Sequence, residues 1–155
     1  MLRAHGQYQR NKHKYIGICG RMDTIQAAVL LAKFPHFPKE LKARERVAKF
    51  YTHNLSKKIK VPIVKADRSS TWAQYTIRVK NRDFFQEKLQ SSGIPTYIFY
   101  PLPLHLQECF KYLNYKIGDF PIAEKASKEV ISIPINSFLT DNELNYISSI
   151  ISEHI

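Results

Sequence analysis

The stretch GICGRMDTIQAAVLLAKFPHFP, Gly17 to Pro38, constrains the fold more than any other, and it lies close to the first residue. It reads as a tight, glycine-bracketed turn feeding a capped helix that stops at Pro35. Asp23 is placed as N-cap with Gln26 three residues on, the spacing of a capping box. Met22, Ile25, Val29 and Ala32 recur at steps of three and four, which makes one apolar face. Gly17 and Gly20 let the backbone take positive φ or approach a ligand closely. Such a turn entering a helix N-terminus can hold an anion, because unpaired N–H groups point outward there. A plain loop-to-helix entry is the alternative reading of the same residues.

The rest of the chain bounds what this helix can belong to. At 155 residues it suits one domain, with room for at most an appendage. Its 44% hydrophobic and 24% charged content is that of globular rather than disordered protein. The longest apolar run falls far short of the roughly 18 residues needed to cross a bilayer. No signal-peptide pattern follows Met1, so a cytoplasmic location is expected. Cys19 and Cys109 have neither metal spacing nor the density of a secreted scaffold, and both are expected as reduced thiols. The net charge is +11, and its placement is uneven. Residues 1–60 carry 14 Lys and Arg against Asp23, Glu40 and Glu45, whereas residues 61–155 carry 10 of each sign. A one-sided field implies a polyanionic ligand, an acidic partner, or a further piece of protein.

Residues 1–20 show little periodicity and read as a basic loop or arm. After the helix from Arg21 to about Phe34, Pro38 opens a second helix running to about Ser56. That helix turns Leu41, Ala48, Tyr51 and Leu55 inward and Lys39, Lys42, Arg46 and Lys49 outward. Beyond Val61 strands and helices alternate. In AQYTIRV, Ala73, Tyr75, Ile77 and Val79 share one side of a half-buried strand. Residues 82–92 predict a helix ended by Gly93, and TYIFY (96–100) a strand ended by Pro101 and Pro103. Helices are predicted near 105–113 and 121–129, followed by a strand over VISIPI. A final helix opens on the Thr140–Glu143 capping box, with Leu144, Ile147 and Ile151 as its inner stripe. This pattern predicts an α/β chain, an α+β sandwich. The expected divisions are a basic arm over 1–20, a helical connector over 21–59 and a small α/β domain over 60–155.

Local catalytic motifs are absent: no GxSxG, HExxH, CxxC or Walker loop occurs. The six histidines include no i, i+4 pair, so no metal site is expected, and the carboxylates form no acid/base pair.

Longer strings carry more. HGQYQR (5–10), HKYIGICGRMDTIQAAVLLAK (13–33), STWAQYTIRV (70–79), RDFFQEKLQSSGIPTYIFYPLPLHLQ (82–107), FPIAEKASKEVISIPI (120–135) and LTDNELNYISSII (139–151) follow one another over nearly the whole chain. In order and spacing the chain resembles the PLP-dependent sugar aminotransferases of the DegT/DnrJ/StrS type, and RMDxIQAA followed by YPxPLH is a specific pair. The resemblance places the match on the C-terminal part of a fold-type-I aminotransferase. It implies that the first helices close the large domain and connect it to a small domain starting near residue 60.

The resemblance also implies what this stretch lacks. In the family an upstream lysine forms the Schiff base with PLP, and an upstream aspartate pairs with the pyridine nitrogen. None of the 16 lysines here stands in the family's active-site lysine context. No catalytic residue is therefore expected in this chain, and PLP is not expected to be held by it alone. What remains is the set of groups that relatives lend across their dimer interface. An asparagine in GxNxRM reaches the neighbouring subunit's cofactor phosphate in relatives; Cys19, a poor donor, stands at that position here. Arg21 is retained and suits a substrate phosphate or carboxylate, or else is a surface arginine at a helix N-terminus. In HYPxPLH the first histidine is replaced by Phe99, while Tyr100 and His105 remain. His105 either lines the site or packs and stabilises a turn, and Tyr100 has the same two readings. His13 matches a family histidine, with Asn11 in place of the tyrosine two residues before it.

Nucleotide-sugar substrates and a phosphorylated cofactor are polyanionic, which accounts for part of the basic segment. A solvated helix face accounts for Lys39, Lys42, Lys57 and Lys58 among others. Three hypotheses follow. The first is a sugar aminotransferase part complemented by a lysine-bearing N-terminal chain or a homodimer partner. The second is a non-catalytic remnant or binding module. The third is a basic nucleic-acid binder, against which stands the absence of any helix-turn-helix, zinc finger, RNP signature or stacking ladder. In the first case Tyr8, Tyr15, Ile16, Ile18 and part of the 22–34 stripe lack cover, so a loose or self-associating N-terminus is expected.

Overall fold

The computed structural model describes all of residues 1–155 and divides them into two compact units, Met1–Pro38 and Lys39–Ile155. No helix is long and apolar enough to cross a membrane.

The first unit is more ordered than an arm. Strands β1 (Gln7–Gln9) and β2 (Lys12–His13) form an antiparallel hairpin with Gln7 opposite His13 and Gln9 opposite Lys12. Nothing in the apolar pattern signals it; the turn chemistry does. Asn11 takes φ +60, a left-handed conformation that asparagine tolerates better than most residues. Residues 17–20 then run back along the first residues: Ile18 N–H donates to Leu2 O and Gly20 N–H to Arg3 O, at 3.0 and 2.8 Å. Gly17 and Gly20 do not take the positive φ expected of a turn that clasps a ligand. A Cβ on Gly17 would lie 2.3 Å from Gly6 N, so the close approach is of the chain to itself. The positive φ belongs to Gly6, at +74°.

Helix α1 (Thr24–Lys33) begins as the capping box requires, with the Asp23 N–H donating to Gln26 Oε1 at 3.3 Å. Pro35 does not open a gap. It sits in a 3-10 turn, Phe34–His36, that passes directly into α2 (Phe37–Leu55), with Pro38 in its first turn where a missing N–H costs no bond.

From Lys39 onward the second unit forms around α2, which buries Val47, Ala48, Tyr51 and Leu55. Lys39, Lys42, Arg46 and Lys49 are exposed, as the spacing predicts. Strands β3 (Tyr75–Arg78) and β4 (Val130–Ile133) pair antiparallel, Tyr75 opposite Ile133 and Arg78 opposite Val130. Single bridges extend the sheet on both edges, Lys60 to Arg78 and Tyr97 to Ser132. Tyr75, Ile77 and Val79 are buried in the expected alternation, while Ala73, expected with them, is exposed. The aromatic run at 96–100 therefore contributes one bridge and no strand. Pro95, Pro101 and Pro103 bracket it, and Tyr100 at φ +54 leaves extended geometry altogether.

Helices α3 (Arg82–Ser91), α4 (Pro121–Glu129) and α5 (Asp141–Glu153) lie where the spacing puts them. The helix expected near 105–113 is instead two 3-10 turns, Leu104–Leu106 and Glu108–Leu113, separated by extended Gln107. Gly93 ends α3 at φ +72, with Ile94 N–H donating to Leu89 O.

The core joins Tyr51, Tyr75, Phe85, Leu89, Ile131, Leu144 and Ile151, all nearly sealed from solvent. Its polar atoms are paired: Tyr51 donates to Pro134 O at 3.0 Å, and Tyr75 and Thr52 hydroxyls meet at 2.7 Å. Buried Arg82 donates to Ser127 O at 2.9 Å and Val130 O at 3.3 Å, which fixes the end of α4 against the start of α3. Mixed helices over an antiparallel pair agree with the expected α+β class.

Candidate functional site

The approach to α4 is where the second unit gathers polar groups. Pro121 opens that helix at a position where proline is favoured, and Glu124 falls in its first turn. Just before it, Gly118 takes φ +100 and lets residues 114–120 fold back over the helix start. The Gly118 N–H donates to Glu124 Oε1 at 2.9 Å and Oε2 at 3.1 Å, and the Phe120 N–H donates to Oε1 at 3.3 Å. His105, on the 3-10 turn Leu104–Leu106, adds a third donor: its Nε2 lies 3.1 Å from Glu124 Oε1. Both side chains are largely covered, His105 8% and Glu124 14% exposed. The imidazole packs on Phe120 with ring centroids 4.8 Å apart, and Phe120 meets Tyr115 edge-on at 5.0 Å. Foremost the Gly118 N–H, then that of Phe120 and His105 itself, hold the Glu124 carboxyl below its usual 4.5 against an opposing effect of partial burial.

A groove of about 500 Å³ runs beside this network, walled by Pro103, Leu104, Phe120 and Val130, with His105, Tyr100 and Ser127 as polar groups. Tyr100 stands 77% exposed with a left-handed backbone, an uncommon state for a bulky residue. A second groove of about 940 Å³ lies on the far side of α4, rimmed by Lys58, Lys60, Lys80 and Lys125. The Arg78–Glu129 ion pair, 2.6 Å at its shortest, lines it as well.

The structure therefore brings Tyr100 and His105 to one groove. His13, Cys19 and Arg21 lie in the first unit. His13 is exposed on β2 opposite Gln7; Cys19 is an exposed free thiol whose backbone bridges Ala4; Arg21 is exposed just ahead of α1. Sequence reasoning passed over Glu124. Its signal was an acid in the first turn of a proline-opened helix six residues after a glycine, a pattern that local motifs for chemistry do not contain.

Residues 1–152 match the model of the DegT/DnrJ/EryC1/StrS aminotransferase family. The pleiotropic regulatory protein of Geobacillus stearothermophilus is 38% identical over 99% of this chain and 42% of its own length. UDP-2-acetamido-2-deoxy-3-oxo-D-glucuronate aminotransferase of Pseudomonas aeruginosa is 36% identical over 89% of this chain and 38% of its own. Among solved structures, a DegT DnrJ EryC1 StrS aminotransferase from Brucella abortus superposes with a TM-score of 0.88 at 37% identity. DesV of S. venezuelae, solved with a ketimine intermediate, does so at 0.92 and 30%. Each superposition covers 99% of this chain, and 41% and 42% of those chains respectively. The chain thus spans about 40% of the length of the relatives it matches. It belongs to the DegT/DnrJ/EryC1/StrS aminotransferase family.

Proposed function

We propose that these residues form the C-terminal part of a cytoplasmic, PLP-dependent nucleotide-sugar aminotransferase and do not transaminate by themselves. The Schiff-base lysine comes from a large-domain part, carried on the same polypeptide or on another. In this reading residues 21–59 close the large domain and lead to a small domain from about residue 60. His13 and Arg21 are lent to a neighbouring subunit, and Cys19 occupies the place of the phosphate-binding amide.

One observation carries the reading. Helix α1 holds Ile25, Val29, Leu30 and Leu31, yet buries none of its residues. Ile25, Leu31 and Phe34 just beyond it are each more than 70% exposed. A helix whose large apolar residues are left this uncovered belongs against a larger body. The groove at His105 supports the same conclusion from the cofactor's side. No lysine or arginine lines it, and its imidazole is engaged with Glu124, so a phosphate dianion finds no cation there. These residues alone do not fit pyridoxal phosphate.

The test mixes the chain with a lysine-bearing large-domain polypeptide and PLP, then follows the visible absorbance of bound cofactor and amino transfer to a nucleotide keto-sugar. Activity is expected in the mixture and not in either part. Turnover by the 155-residue chain alone overturns the reading. The replacements at Cys19 and Phe99 favour a second reading, a non-catalytic remnant, which is the conclusion if the mixture neither binds cofactor nor turns over.

A further inference from the structure

We propose that Glu124 is a positioning residue that holds His105 as a hydrogen-bond acceptor, so that the groove beside Tyr100 takes a neutral, hydroxyl-bearing ring rather than a phosphate. The inference rests on the sugar-aminotransferase reading only in supposing that such a ligand reaches the groove.

The argument begins at one oxygen. An ionised carboxylate only accepts, and Gly118 N–H, Phe120 N–H and His105 Nε2 all converge on Glu124 Oε1. His105 must therefore carry its hydrogen on Nε2. In the neutral ring Nδ1 is then a lone-pair acceptor. No group of this chain donates to it, and it is not sealed: among buried side-chain polar atoms, only Arg44 Nε lacks a partner. The open space that the ring borders is the groove.

An acceptor nitrogen attracts an O–H or N–H and repels the ionised oxygens of a phosphate or carboxylate. The walls repeat that preference: they hold no lysine or arginine and, apart from Ser127, whose hydroxyl donates to Glu124 O, they are apolar. A volume of about 500 Å³ falls in the range of small-ligand pockets. Tyr100 closes one side with an exposed aromatic ring on a backbone held at φ +54 immediately before Pro101. Such strain persists where the surroundings over-determine it, and ligand clamps are a common setting. Covered Glu124 makes the arrangement stiff, since moving His105 would leave an anion with one donor fewer.

The test is nitrogen-15 NMR of the histidine rings in the 155-residue chain at pH 8. The wild type is expected to show His105 only as the Nε2–H tautomer. Glu124→Gln should preserve it, because the amide oxygen can hold the same three donors, and Glu124→Leu should release the ring to a mixture. Millimolar glucose should shift the Nδ1 resonance, and inorganic phosphate should leave it unmoved. An Nδ1–H tautomer in the wild type, or a response to phosphate and none to glucose, overturns the proposal. The tautomer and titration arms need no variant, so a misfolded Glu124→Leu does not remove the test. Failure of the mixed parts to transaminate would overturn the proposed function while leaving the tautomer result standing.

Discussion

Tyr51 and Tyr75 show how much one phenol can reveal about this core. Their rings lie 5.3 Å apart, and burial, foremost, pushes both hydroxyls above the ordinary tyrosine value. A raised folded value favours the protonated form. The stability it contributes is therefore present below the ordinary phenol range and lost as pH rises through the folded value. Of nine tyrosines, these two should ionise only as the protein unfolds, a late step in an alkaline absorbance titration. Tyr51→Phe leaves Pro134 O without its donor and should cost about 1–2 kcal/mol in urea unfolding. Glu124 behaves in the opposite sense. Its lowered carboxyl value stabilises the Gly118–Phe120 turn above the ordinary glutamate range, and that support is lost as pH falls through the folded value. Loss of the Tyr115–Phe120 contact in acid, followed by NMR, checks it. Neither the phenol pair nor the Glu124 turn was legible in the sequence as a unit. Tyr51 and Tyr75 were placed inward singly, and Glu124 gathers donors from the adjoining Gly118–Phe120 turn and from His105, 19 residues away, which only folding brings beside it.

At the scale of elements, the caps and periodicities carried most of the reading. Both capping boxes formed where the residue types put them, and α5 buries Leu144, Ile147 and Ile151 as its stripe requires. Thr140→Ala should therefore cost about 1 kcal/mol, measured as a fall in thermal midpoint. Two of the three positive-φ glycines, Gly93 and Gly6, make a sharper comparison. A Cβ at Gly93 meets open space, so Gly93→Ala costs only the left-handed strain of about 1–2 kcal/mol. At Gly6 the same atom would lie 1.7 Å from Tyr15 O, so Gly6→Ala should abolish the β1–β2 hairpin, seen as lost amide protection at Lys14, whose N–H donates to Gly6 O. The misread elements share a cause. TYIFY has strand propensity, and residues 105–113 have helix-compatible composition, but prolines and left-handed residues at Tyr100 and Asn114 override both.

Across the whole molecule, the uncovered helix governs solution behaviour. Ile25, Leu30 and Leu31 exposed together should make the chain associate with itself through the first unit, giving a concentration-dependent sedimentation coefficient. Ile25→Gln combined with Leu31→Gln should reduce that association without lowering the melting temperature of residues 39–155, because neither residue belongs to the core. The charge follows a similar logic. Ten lysines and arginines in the last 95 residues balance ten acids, yet two of them, Lys80 and Lys125, meet Lys58 and Lys60 from the basic first 60 residues around one groove. Charge summed along a chain does not record which charges become neighbours.

The amino-acid order by itself determined the helices, their caps, the buried alternation of β3 and the family, because each depends on residues a few positions apart or on strings met in sequence. Tertiary structure alone decided that Gly17 serves the chain's own crossing, that Tyr100 turns left-handed, and that Glu124 orients His105. The crossing at Gly17 and the Glu124–His105 pair arise from contacts between separate segments, where the geometry of approach, rather than the type of any one residue, sets which atoms can bond.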